Sequence, residues 1–154
     1  MDDRASPEAP ADDRRYPSRP YIGVGAVVFK GTDVLLIKRG KPPRQGQWSL
    51  PGGLQQVGET VFEAGVREVH EETGLTVEAI ALIDVVDSIT HDEHGRPQYH
   101  YTLVDILAEW CAGEAVAGDD AAAVAWAALD DLGRFRLWSE TERIIRLAAT
   151  KRRA

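Results

Sequence analysis

The chain has 154 residues, 44% hydrophobic and 28% charged, with a formal net charge of −7, proportions that suit one domain able to bury a core without staples. Grip on duplex nucleic acid needs clustered Lys and Arg, so this acidic balance argues against DNA binding; a small phosphate ligand stays open, because a divalent cation inverts local charge. The single cysteine, Cys111, excludes an internal disulfide framework, and no window approaches the roughly 18 apolar residues of a membrane span.

Residues 1–20 hold four prolines, mixed charge and almost no large apolar side chains. Such a segment cannot offset its ordering entropy and is expected to be a disordered tail. It has no apolar core of the kind a secretion signal needs, so a cytoplasmic protein is the expectation. Residues 21–150 form the expected folded domain. Tyr21 to Phe29 reads as a strand, Gly31-Thr32-Asp33 as a turn and Val34 to Ile37 as the hairpin partner. Residues 40–47 are a loop by their prolines and glycines, and Trp48-Ser49-Leu50 is a short extended piece running into Pro51-Gly52-Gly53.

Over residues 59–73 Phe62, Val66, Val69 and Thr73 recur at helical spacing while acids and Arg67 occupy the other faces. Gly74 is placed as the C-cap glycine of that helix. Strands follow near 76–88 and 98–110, joined by the polar loop 91–97, and another near 122–129. A last helix from Ser139 to Thr150 opens on SETE, which has the form of a capping box. Helices and strands mix without strict alternation or internal repeat, which predicts an α/β (α+β) domain with a mixed sheet covered by helices.

Glu68, Glu71 and Glu72 share one helix face, because residues three and four apart are neighbours on a helix surface. Alone, such a cluster reads as a solvated face, destabilised by a few tenths of a kcal/mol per like-charged pair. The preceding residues change that reading. Gly53, Glu59 and Arg67-Glu68-Val69-His70-Glu71-Glu72-Thr73-Gly74-Leu75 match GX5EX7REUXEEXGU, with U aliphatic, at every defined position. At ordinary residue frequencies this coincides by chance in about one chain in ten million.

That pattern is the Nudix box, and the chain resembles the Nudix hydrolase family. LLIKR and WSLPGG before the box and Val124-Ala125-Trp126 after it are similar to the family too, so the resemblance covers about residues 21–149. It implies a single-domain α/β/α sandwich around a mixed sheet. It also implies a Mg2+-dependent pyrophosphohydrolase, with Mn2+ as a substitute, acting on a nucleoside diphosphate linked to a second moiety. Hard oxygen ligands on one helix face hold such a cation, which polarises phosphoryl oxygens and activates water.

By resemblance, Glu68, Glu71 and Glu72 are metal ligands, joined by the backbone carbonyl of Gly52 or Gly53. Arg67 and Glu59 are expected to support them, with Glu63 and Glu71 spaced to pair with Arg67. The catalytic base is a box glutamate, Glu71 or Glu68, or a loop carboxylate, for which Asp119 and Asp120 are placed and Asp120 is the candidate; a plain Gly-Asp-Asp turn is the alternative. Arg39 and Arg44 are weak candidates for substrate phosphates, equally readable as solvated loop arginines. His91, His94 and His100 are too scattered for a metal site. Tyr99, Tyr101, Trp48 and Trp126 suit core packing better than base stacking.

Compact one-domain chains of this kind resemble hydrolases of ADP-ribose or nucleotide sugars. The proline that ADP-ribose hydrolases of the family often carry past the box is missing here, where the chain reads Thr90-His91. The enzymatic alternative is a house-cleaning (d)NTP pyrophosphatase. The non-enzymatic one is a nucleotide-sensing domain of the same fold, which is expected to show eroded acids or a DNA-binding appendage; this chain shows neither. A small-molecule nucleotide partner, no membrane and, since members of the family are often dimers, a homodimer complete the expectations.

Overall fold

β1 (Tyr21–Lys30) buries side chains on both of its faces, the pattern of a strand enclosed inside a sheet. In the computed structural model, which describes residues 14–41, 44–118 and 120–153, that is where β1 lies. It pairs in parallel with β6 (Pro97–Ala112) from Tyr21 to Phe29. Its other edge is shared: Gly23, Val24 and Gly25 pair with β4 (Gly52–Leu54), whereas Phe29 and Lys30 pair with β2 (Asp33–Arg39). Between those two pairings the sheet splits.

β2 continues the sheet through β3 (Trp48–Ser49) and along β7 (Ala121–Ala128). β6 continues it through β5 (Thr76–His91), which forms an outer edge. One parallel pair among antiparallel ones makes the sheet mixed, as expected.

Alternation along β1 sends Ala26 and Val28 to one side, against Val69 of α1 (Val61–Thr73), Leu75 and Ile106. Val27 and Phe29 go to the other side, against Leu107 and Ile144, Ile145 and Ala148 of α2 (Ser139–Arg153). The result is an α/β/α sandwich with two cores, each sealed by one helix. Trp48 packs edge-on against Phe135, ring centroids 5.1 Å apart, and Trp126 packs against the α1-side core. Both tryptophans therefore do the packing work expected of them.

Helix boundaries show which local signals act. α1 starts at Val61, with Thr60 as N-cap and Glu63 completing a reciprocal capping box, and ends at Gly74 in a left-handed conformation (φ 78°). The box foreseen at SETE does not start α2. Ser139 is already helical, the Glu142 N–H donates to the Trp138 carbonyl (3.1 Å), and the Glu142 carboxylate pairs with Arg146 (2.9 Å). A 3-10 turn at Leu129–Phe135, which sequence patterning did not reveal, buries Leu132 and Phe135 three residues apart, the period that suits its geometry.

Of the expected tail, residues 1–13 lie outside the described residues. Residues 14–20 do not run free: the Tyr16 N–H donates to the Gln98 carbonyl (2.7 Å) and its hydroxyl to Asp92 (2.7 Å) at the β5–β6 turn. No helix among the described residues is long and apolar enough to cross a membrane.

Candidate active site

α1 lies across β4, and the two glycines of β4 set how closely. A Cβ on Gly52 would collide with the Val24 carbonyl, and one on Gly53 with the Glu68 carboxylate. Glycine here admits a helix carboxylate right up to a strand backbone. Glu72 uses the same closeness, accepting the Gly52 N–H at 2.9 Å. Glu68 and Glu72 thus turn inward to the strand, whereas the Glu71 side chain is 56% exposed.

Arg67 organises the group. Its guanidinium grips Glu59 through Nε (2.5 Å) and Nη2 (3.0 Å), donates from Nη1 to Glu68 (3.0 Å) and Glu71 (3.2 Å), and from Nη2 to the Leu54 carbonyl (3.1 Å). Four oxygen-bearing partners on one planar fork fix three glutamates relative to the strand. Glu63 is not among them, because its carboxylate accepts the Thr60 N–H in the capping box (2.9 Å). The pairing of Arg67 with Glu63 expected from helical spacing is thereby corrected, and the Leu54 carbonyl is a partner that spacing could not reveal.

Charge follows this geometry. The Arg67 guanidinium and the Gln56 N–H hold Glu59 below the usual carboxylate range. Burial pushes Glu68 up, against the pull of Arg67. Burial pushes Glu72 further, to about 7, helped by the charges of Glu68 and Asp120 and resisted by the Gly52 N–H and Arg39. A carboxylate so raised lacks a neighbouring cation equal to its desolvation.

That deficit is the test of whether a divalent cation fits. Hard carboxylate oxygens on Glu68, Glu71 and Glu72, two of them disfavoured as anions, sit beside a strand backbone with no side chains in the way. This donor set suits Mg2+ or Mn2+. Among the described residues the acids do not already converge on one point as a formed metal cluster, since Arg67 lies between Glu68 and Glu71.

Other candidates fall as follows. Asp120 pairs with Lys41 (2.9 Å), both well exposed, and is close enough to Glu68 and Glu72 to disfavour their ionisation. Asp119 lies outside the described residues. Arg39, at the end of β2, favours the charged form of Glu72. Arg44 occupies an exposed turn with φ 64°, its carbonyl accepting the Gln47 N–H. His94 is exposed beside Glu93 (3.5 Å). The segment after β6 also reaches the site: Val116 and Gly118 N–H groups donate to the Thr73 and Glu72 carbonyls (2.9 and 2.7 Å), capping the end of α1.

The family described as the NUDIX domain matches residues 19–148. An ADP-ribose pyrophosphatase of Methanocaldococcus jannaschii is 40% identical over 102 residues, 66% of this chain and 58% of that protein. A putative ADP-ribose pyrophosphatase, YjhB, of Bacillus subtilis is 32% identical over 106 residues, 69% of this chain and 49% of that protein. The chain thus spans about half the length of these relatives. A crystal structure of a MutT NUDIX hydrolase from Burkholderia pseudomallei superposes with a TM-score of 0.73 at 34% identity, covering 84% of this chain and 98% of that one.

Proposed function

The chain belongs to the NUDIX family, and we propose that it is a Mg2+-dependent pyrophosphohydrolase splitting a nucleoside diphosphate linked to a second moiety, ADP-ribose or a nucleotide sugar. The observation that carries this reading is the inward-turned pair Glu68 and Glu72, raised by burial beside Gly52 and Gly53 and braced by Arg67. The names of the two relatives support the ADP-ribose class.

Glu68, Glu71 and Glu72 would hold the cation, with a backbone carbonyl of Gly52 or Gly53. When bound, Mg2+ supplies charge against the diphosphate and acidifies a coordinated water. The chain's own part is to place and to receive. Arg67 keeps Glu68 and Glu71 side by side, so that neither needs to reorganise as charge builds on phosphorus. Glu68, which burial makes more basic than an ordinary carboxylate, or Glu71 beside it, would take the proton of the attacking water. Asp120 is the alternative acceptor, its charge reaching the same acids from just before β7. Arg39, whose charge also reaches Glu72, is a candidate to meet a substrate phosphate.

A binding-only module would gain nothing from this arrangement, because uncompensated buried carboxylates cost stability and return it only with a cation in place. The protein is proposed to act in the cytoplasm. The apolar side chains Leu82, Val85 and Ile89, each nearly half exposed on the outer strand β5, give a surface suited to a second copy. The test of function is product release from ADP-ribose, nucleotide sugars, dinucleoside polyphosphates and all dNTPs, with Mg2+ and with chelator. Cleavage confined to diphosphate-linked substrates supports the proposal. Cleavage of dNTPs alone would replace it with the triphosphatase reading, and no metal-dependent turnover would refute an enzyme.

A further inference from the structure

The connection from β6 to β7 crosses the C-terminal end of α1 and is fastened there through backbone groups. Val116 and Gly118 donate their N–H groups to the Thr73 and Glu72 carbonyls (2.9 and 2.7 Å), two of the carbonyls that the last turn of a helix leaves without partners of its own. Gly118 makes the closer approach. A Cβ on it would lie 2.4 Å from the Glu71 carbonyl oxygen and 3.1 Å from that of Glu72, and neither is the end of a side chain that could swing aside. Its φ lies outside the left-handed region that Gly113, at 98°, occupies in the same connection. What demands glycine at 118 is therefore contact with α1, not backbone conformation.

The same contact fixes Asp120. From the other side Gly40, just past the end of β2, donates its N–H to the Asp120 carbonyl (3.0 Å), and a Cβ on Gly40 would lie 3.2 Å from that oxygen. The Ala121 N–H returns to the Gly118 carbonyl (3.3 Å) and closes the turn. The turn is thus seated between the end of α1 and the end of β2, although the Asp120 side chain is 64% exposed. Such seating costs conformational freedom that a plain surface turn would keep. Here it sets one acid where its charge reaches Glu68 and Glu72. The residues whose carbonyls meet Gly118 are also two whose carboxylates stand in the site.

We propose that Gly118 is a positioning residue for the cation site: its contact with the last turn of α1 holds Asp120 where its negative charge adds to those of Glu68 and Glu72 for a divalent cation. The inference rests on the cation reading above and adds to it a residue that carries no ligand of its own. Ligand charge and site rigidity set the affinity of a carboxylate site for a divalent cation. Lifting the turn off α1 therefore weakens the hold on Mg2+ with every box carboxylate still in place.

The experiment is calorimetric titration of Mg2+ into the metal-free full chain at low ionic strength, with a thermal melt of each protein. Wild type is compared with Gly118→Ala, Asp120→Asn, the double variant and Gly113→Ala. Gly118→Ala and Asp120→Asn are each expected to weaken Mg2+ binding about 5-fold or more. The double variant should bind no more weakly than the weaker single, because both remove one contribution. Gly113→Ala puts a side chain on a left-handed residue at the far end of the same connection. It should lower Tm yet keep Mg2+ affinity within about 2-fold. Insertion of one glycine after Gly118 unties Asp120 without adding a side chain, and it serves, with the same loss expected, if Gly118→Ala does not fold. Wild-type affinity in Gly118→Ala or in Asp120→Asn overturns the proposal; so do losses that multiply in the double variant, or an equal loss in Gly113→Ala. No Mg2+ binding by wild type refutes the cation reading itself, whereas wild-type binding that Gly118→Ala matches refutes this inference alone.

Discussion

Glu72→Gln gives a prediction in which stability, pH and metal are all tied to one oxygen. In the metal-free protein the Glu72 carboxyl stands at about 7 against an ordinary 4.5. A folded value above the unfolded one means that folding disfavours the anion. The penalty is absent below about pH 4.5, grows as pH rises and is complete above about 7. At 1.36 kcal/mol per pH unit the difference corresponds to roughly 3 kcal/mol. Glutamine keeps an oxygen for the Gly52 N–H but weakens a charge-assisted bond, leaving a net gain of about 2 kcal/mol. For a chain of this size that is roughly 4–8 °C in Tm. Thermal melts in chelator at about pH 5 and pH 8 test it. Glu72→Gln should match wild type at the lower pH and melt higher at the upper one, and only wild type should gain Tm when Mg2+ replaces chelator. A variant less stable than wild type at about pH 8, or equally stabilised by Mg2+, refutes the view of Glu72 as a buried charge kept for a cation.

Removing Arg67 should leave Glu59 and Glu68 facing each other part-buried. Arg67→Ala is expected to cost about 3 kcal/mol, and a double-mutant cycle with Glu59→Gln, read by chemical denaturation, to show coupling above about 1 kcal/mol. The β4 glycines should fail differently. Gly52→Ala meets backbone at Val24 and should unfold the protein at lower temperature, whereas Gly53→Ala meets the end of a flexible side chain and should lower kcat with Tm nearly kept. Asp120→Asn should leave Tm unchanged, since its pair with Lys41 is exposed; a fall in kcat of about 100-fold or more would assign it the base's role, and a near-normal rate would leave that to Glu68 and Glu71.

The carboxylate face of α1 was legible because its residues are close in sequence. Gly53, Glu59 and the α1 glutamates lie within 20 positions, and helical periodicity orients them without reference to anything distant. Gly74 as cap was readable for the same reason. Capping also shows the limit: Thr60–Glu63 and Ser139–Glu142 fit the same local rule, and only tertiary placement decides that the first pair forms the box. The burial of Asp105, one acid in the apolar run LVDILA, was invisible: the parallel register sets it beside Gly25, 80 residues earlier, and no spacing along the chain encodes that. The end of the tail was misread for a similar cause, since Tyr16 finds its partners only once the β5–β6 turn has formed.

If the glutamates of α1 exist to run metal-dependent cleavage of a phosphoanhydride, activity must depend on both the cation and the carboxylates. A Mg2+ titration of ADP-ribose and nucleotide-sugar hydrolysis by wild type and by Glu71→Gln, both checked for fold by circular dichroism, reads the two dependences together. Wild-type turnover should rise from baseline and saturate with Mg2+, and the variant should fall short by about two orders of magnitude or more at every concentration. Turnover independent of Mg2+, or a Glu71→Gln curve that overlays the wild type, would contradict this.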